Sequence, residues 1–233
     1  MGPMPPRHIG IVACSTEGAA LCYRTISLVG GELMGRHAHP EVSLHSRPLS
    51  EYMEHIYRGA WDAVARLMLS SAEKLASAGA DFLICPDNTL HIVLPEVRAR
   101  SPLPWLHIGE VVAEEARRRG YRRLGLTGTR YTMEGPVYPQ VLGAAGLEHR
   151  VPGPDGRARI DRIIFDELVN GRFTAESLAV FQGEIAALRD LGCDSVILGC
   201  TEIPLLVPPE ASPLPTLDST RLLARAAVER ALA

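Results

Sequence analysis

No apolar run in this 233-residue chain approaches the length of a membrane span. The N-terminal stretch "MGPMPPRHIGIVACS" also has no positively charged segment leading into a long apolar core. The chain therefore reads as cytoplasmic, without a membrane partner. Charge of one sign is lacking too: 24 Lys and Arg stand against 27 Asp and Glu, a formal net charge of −3, and the basic residues are scattered rather than striped. That argues against a nucleic-acid or anionic-lipid surface and for a small-molecule partner. Cysteine is sparse and odd in number. Cys14, Cys22, Cys85, Cys193 and Cys200 form no C-x-x-C pair, so neither a disulfide frame nor a zinc ribbon is implied. His37, His39 and His45 lie close together in "HAHPEVSLH", but no acid or cysteine shares a ligand spacing with them, and no metal is expected.

What is present is an alternation of short β-branched runs with amphipathic helical stretches. "HIGIVAC", a helix from about Ser50 to Ser77, "DFLIC", "PWLHI", a helix from Glu110 to Arg119 and "RLGLTG" follow one another, the pattern of βαβ units in an α/β protein with parallel sheets. The first long helix opens on Ser50 as a cap and stops at Gly79; "TAESLAVFQGEIAALRDLG" repeats the plan from a capping Thr174 to Gly192.

The two halves of the chain match each other. "HIGIVACST" resembles "RLGLTGTRY", with Gly10 over Gly125, an offset of 115. "GADFLICPDNT" resembles "GCDSVILGCTE", with Asp81 over Asp194 and Asp87 over Cys200, an offset of 113. "SPLPWLH" resembles "SPLPTLD", with Pro102 over Pro213, an offset of 111. Three blocks in order, drifting by two residues each, are what small loop deletions produce in a duplicated unit. The expected architecture is two pseudo-symmetric lobes, each a roughly four-stranded parallel sheet flanked by helices. Residues 1–107 with 212–233 form lobe one and residues 108–211 lobe two. Ligands of open parallel sheets bind at the carboxyl ends of the strands, which puts the expected active site in the inter-lobe cleft.

Asp87 and Cys200 are titratable and occupy equivalent positions. Aimed at one ligand from opposite sides, they suit two-base chemistry, in which one group removes a proton from a carbon and the other returns one to the opposite face. A thiol, ordinarily near pKa 8.5, is well matched to that task; a carboxyl near 3.9 needs burial to raise it. Asp87, followed by Asn88 and Thr89, fits a turn or helix-capping acid equally well. Cys22 and Cys193 read as core thiols, and Cys14 and Cys85 as strand-end thiols lining the site.

"GCTEIPLL", "DNTLH" after a strand, "GTRYTMEGPVY", "RIIFDEL" with a later Gly171, and "LPTLDSTRLLARAAVERAL" together resemble the cofactor-independent aspartate/glutamate racemase family of the Asp/Glu/hydantoin racemase superfamily. The resemblance covers nearly the whole chain. It implies two lobes, a homodimer, and inversion of the α-carbon of an acidic or related amino acid by two cysteines, with no pyridoxal phosphate or other cofactor. On that resemblance Cys200 is the second catalytic cysteine. Asn88, Thr89, Thr201 and Thr129 hold the substrate α-carboxylate and amine, and Arg47 pairs with a substrate carboxylate, which a guanidinium does bidentately. Glu202 is a supporting residue where glutamate racemases generally carry His, which leans towards the aspartate branch. His91 either orients the loop or serves as a core or capping histidine.

The departures are as informative. The family's Cys-Asn-Thr becomes Asp87-Asn88-Thr89, an atypical member with Asp in place of the first catalytic Cys. Shifting Cys85 into that register would break the Asn-Thr match. The first loop reads "ACSTEGA" where relatives have Gly-Gly-Met-Gly-Pro, so substrate contacts at Cys14, Ser15 and Thr16 differ. The expected chemistry has a protonated Asp87 delivering a proton while a Cys200 thiolate removes one. Three alternatives stay open: a single-cysteine lyase resembling the arylmalonate decarboxylases, an isomerase of unsaturated diacids, and a non-catalytic amino-acid sensor.

Overall fold

A computed structural model describes residues 5–233. The chain separates into two compact units: the described residues through Ile108 together with Thr220–Ala233, and Gly109–Ser219.

In the first unit the chain runs β1 (Ile9–Ala13), α1 (Thr16–Met34), β2 (Val42–Ser46), α2 (Leu49–Tyr57), α3 (Trp61–Ser77), β3 (Phe82–Ile84), a 3₁₀ turn (Thr89–Val93) and α4 (Leu94–Arg100). Its sheet has three parallel strands in the order β2-β1-β3. The second unit takes up α5 (Ile108–Arg118), whose first residue still belongs to the first unit, then β4 (Arg123–Gly128), α6 (Arg130–Glu134), α7 (Val137–Ala144) and β5 (Glu148–Arg150). It continues with α8 (Pro154–Asp166), α9 (Ala175–Asp190), β6 (Ser195–Gly199), α10 (Ile203–Leu206) and β7 (Thr216–Asp218). Here four parallel strands lie in the order β5-β4-β6-β7. The last helix, α11 (Ser219–Leu232), returns to the first unit, where the Arg7 N–H donates to the Ala231 carbonyl at 2.8 Å and Arg225 pairs with Glu32. Among the described residues no helix is long and apolar enough to cross a membrane.

The strand sequences explain their position. β1 (IGIVA) and β6 (SVILG) are buried at every residue, and β3 likewise. Strands covered on both faces need no polar alternation, which is why these segments read as near-continuous apolar runs. β2, at the sheet edge, alternates half-buried and exposed residues instead.

The duplication seen in the sequence holds in the hydrogen bonds. Asp81 accepts the His8 N–H at 2.7 Å, and Asp194 accepts the Arg122 N–H at 2.7 Å. Leu83 N–H donates to the Pro104 carbonyl, and Val196 N–H to the Pro215 carbonyl, each at 2.9 Å. Ser101 and Ser212 each turn their hydroxyl onto the carbonyl two residues ahead, Leu103 and Leu214. The sheets differ in strand count. "PWLHI" contributes only a single bridge, Trp105 to Leu83, where its counterpart forms β7.

Two further differences from the expected layout have local causes. Residues 212–219 stay with the second unit because β7 pairs with β6. The stretch 50–77 is two helices rather than one: Gly59, at φ +66°, interrupts it, and α2 starts at Leu49 after Pro48 with no side-chain cap from Ser50. The predicted cap at Thr174 is present, its hydroxyl accepting the Ser177 N–H at 3.1 Å.

Candidate active site

Parallel strands deliver all their following loops to one edge, so each unit gathers its predicted residues at the carboxyl end of its own sheet. In the first unit β1 leads into Cys14, Ser15 and Thr16. Cys14 is buried, and Ser15 caps α1 by accepting the Gly18 N–H at 3.2 Å. Thr16 is exposed on the first turn.

After β2, Arg47 is half-buried. Its Nη1 donates to Glu51 Oε2 at 3.0 Å and its Nη2 to Ser70 Oγ at 2.9 Å, while Nε is buried without a partner among the described residues. Tyr52 lies fully buried beside Cys14, Cys85 and Arg47; burial first, then the two thiols, push its phenol up. Sequence reasoning passed over Tyr52, because an aromatic on an apolar helical stripe carries no signal beyond core.

β3 hands over to Cys85 and Asp87. Cys85 is fully buried; desolvation first, and the nearby Asp87 second, hold its thiol well above the ordinary range, so it is a neutral core thiol. Asp87 is half-buried and its Oδ1 accepts the Leu90 N–H at 2.9 Å, so the capping role is present. Asn88 and Thr89 follow, both buried. His91 is locked at both nitrogens: Nδ1–H donates to the Asp87 carbonyl at 2.7 Å, and Nε2 accepts the Ile108 N–H at 3.1 Å. That pattern requires one neutral tautomer. Burial, then His107 at 4.6 Å between ring centroids, holds His91 well below the usual imidazole range. It is thus a buried histidine that fixes the Asp87 loop.

In the second unit Gly128 and Gly199 are register partners at the ends of β4 and β6. A Cβ on Gly199 would lie 2.7 Å from the Thr127 carbonyl, and one on Gly128 would lie 2.9 Å from the Gly199 carbonyl. Only glycine allows that approach, which brings the two following loops together. Thr129 opens one, capping α6 by accepting the Thr132 N–H at 3.2 Å. Cys200 opens the other and, alone among the five cysteines, is not buried. Its S–H donates to Glu202 Oε2 at 3.0 Å, and Thr201 Oγ1 donates to the same oxygen at 2.9 Å. Glu202 is 1% exposed, and its Oε1 has no hydrogen-bond partner among the described residues. The spacing "CTE" marked Glu202 as a neighbour of the thiol; that its carboxylate turns back onto the sulfur is a rotamer the sequence does not encode legibly. His45 bonds Ser71 and Lys74, and His39 bonds the Pro40 carbonyl.

Two copies of one parallel α/β plan, each with polar and nucleophilic groups at its strand ends, are the architecture of a racemase-type protein. Residues 10–227 match the family model described as Asp/Glu/Hydantoin racemase, and the chain belongs to that family. Among solved structures it is similar to a candidate Asp/Glu racemase from Yersinia pestis, at 31% identity and a TM-score of 0.89, over 97% of this chain and 100% of that one. An aspartate racemase homologue from Pyrococcus horikoshii OT3 superposes with a TM-score of 0.83 at 29% identity, over 97% of this chain and 99% of that one. The broad specificity amino-acid racemase RacX of Bacillus subtilis is 25% identical over 195 residues, 84% of this chain and 83% of the relative.

Proposed function

We propose that this racemase-family chain inverts the α-carbon of an acidic or related amino acid by proton transfer without pyridoxal phosphate, with Asp87 and Cys200 acting on opposite faces of one substrate. The observation that carries the reading is their register. Asp87 follows β3 and Cys200 follows β6, and these strands occupy the same place in two sheets built on one plan. Similarity to a relative named a broad specificity amino-acid racemase, and to an aspartate racemase homologue, supports an amino-acid substrate and leaves its side chain to experiment.

Arg47 pairs with a substrate carboxylate by exchanging its bond to Glu51 for one to the ligand, a bidentate guanidinium contact. Asn88, Thr89, Thr129 and Thr201, with the loop at Cys14, Ser15 and Thr16, hold the α-carboxylate and amine. The working form in this reading is a cytoplasmic homodimer.

The test is deuterium wash-in from solvent at the α-position across a panel of D- and L-amino acids that includes aspartate and glutamate. Exchange is expected, and Cys200→Ala and Asp87→Asn each lower it by roughly 10²–10⁴-fold, the usual worth of a positioned acid or base. No exchange in any amino acid, with carbon dioxide released from a malonate, replaces the racemase by a lyase. No exchange, with ligand-induced thermal stabilisation unaffected by Cys200→Ala, replaces it by a sensor.

A further inference from the structure

Glu202 stands beside the thiol that the proposed function makes catalytic. It is buried, it faces no cation among the described residues, and one oxygen takes both of its hydrogen bonds, from Cys200 Sγ at 3.0 Å and Thr201 Oγ1 at 2.9 Å. A buried carboxyl oxygen needs donors, and here the S–H is one of two. Removing the thiol proton would strip away that donor and set a thiolate against a carboxylate at hydrogen-bond distance, two like charges of which each disfavours the other. Charged or titratable groups on the elements around β4 and β6 include Arg130, Tyr131 and Glu134 of α6, Arg130 bonding the Tyr131 hydroxyl, and Asp218 on β7, register partner of Leu198. In the first unit the Leu90 N–H donates to Asp87 Oδ1. A carboxylate in its ionised form is a pure acceptor and suits that donor.

We propose that Glu202 is a positioning residue that holds Cys200 as the protonated, proton-donating partner of the resting enzyme, so that turnover begins with Asp87 as the base. This reverses the assignment drawn from ordinary side-chain acidities, and it rests on the racemase reading above. Asp87 carboxylate takes the α-proton, and the C–H electron pair stays on carbon. The carbanion then takes the Cys200 proton on its other face, and the S–H pair stays on sulfur as thiolate. The resting state returns when Asp87 releases its proton to water and Cys200 regains one from water, or when the opposite enantiomer is carried back.

The test reads the thiol without substrate, by following iodoacetamide alkylation of Cys200 against pH with peptide-resolved mass spectrometry. Glu202→Gln keeps an oxygen acceptor for both donors and deletes the charge. It is expected to lower the alkylation midpoint by about one pH unit, which is about tenfold faster labelling at neutral pH. Glu202→Asp, which draws the carboxylate back by one methylene, lowers it by less and serves if the Gln variant does not fold. An unchanged or raised midpoint in the variants overturns the inference. Unchanged midpoints with intact deuterium exchange remove Glu202's role and leave the racemase reading standing; a lowered midpoint with no exchange in any amino acid removes the racemase reading and leaves the hold on the thiol.

Discussion

Under the proposed function Asp87 has two jobs that a substitution can separate. Its Oδ1 caps the turn at Leu90, a structural task any side-chain carbonyl oxygen can perform, while proton transfer needs the carboxylate itself. Asp87→Asn is therefore expected to melt within a degree or two of the parent yet lose deuterium exchange, since the cap survives and the base does not. Asp87→Ala loses both and is destabilised by roughly 0.5–2 kcal/mol as well. Thermal melts beside exchange assays on the two variants check this; an Asn variant that keeps exchange would reduce Asp87 to its capping role. Ser15 and Thr129, both in the proposed substrate set, likewise cap the helix that follows with their hydroxyls. At the strand ends of this fold these candidate groups also begin the next helix.

At the scale of elements, His91 clasps the turn after β3 to the first residue of α5, the point at which the chain leaves the first unit. Because burial keeps it neutral, the folded state refuses a proton that the unfolded chain accepts below about pH 6.5. The sign follows: the unfolded state binds more protons, so stability falls as pH drops below that value, by up to about 1.4 kcal/mol per unit from this residue. His91→Gln has an amide donor and acceptor but does not titrate. Urea midpoints between pH 7.5 and 5 should fall less steeply for it than for the parent. Much of this level was legible in the sequence: the buried strands as unbroken apolar runs, the cap at Thr174, the capping alternative at Asp87. The break at Gly59 was not, because the apolar stripe continues on both sides of it and one glycine inside a helical pattern does not announce a positive φ. Nor was the single bridge made by "PWLHI", since the equally long counterpart "PTLDS" forms β7. Side-chain choices such as Glu202 onto Cys200, or His91 onto two backbone groups, depend on rotamers that spacing leaves open.

For the molecule as a whole, the repeat predicts matched energetics as well as matched topology. Asp81 and Asp194 each accept a backbone N–H at the entry to the first strand of their own sheet, both at 2.7 Å. Asp81→Ala and Asp194→Ala are expected to cost similar amounts, about 1 kcal/mol each, and, lying in separate units, to add in the double variant. Chemical denaturation of the two single variants and the double measures it; a strong imbalance would mean that the halves have kept the contact but not its worth.

Gly128 and Gly199 stand in register at the mouth of the second sheet, and their counterparts in the first unit are not held to the same rule: Ala13 and Pro86 end or follow β1 and β3 with ordinary side chains. A protein that assembled its site from two identical subunits would carry every substitution twice. In a single chain holding both copies, one mouth can tighten on glycine and carry a thiol beside a buried acid while the other carries a carboxyl. Joining two copies in one chain frees each to drift in side-chain chemistry while their scaffolds stay alike.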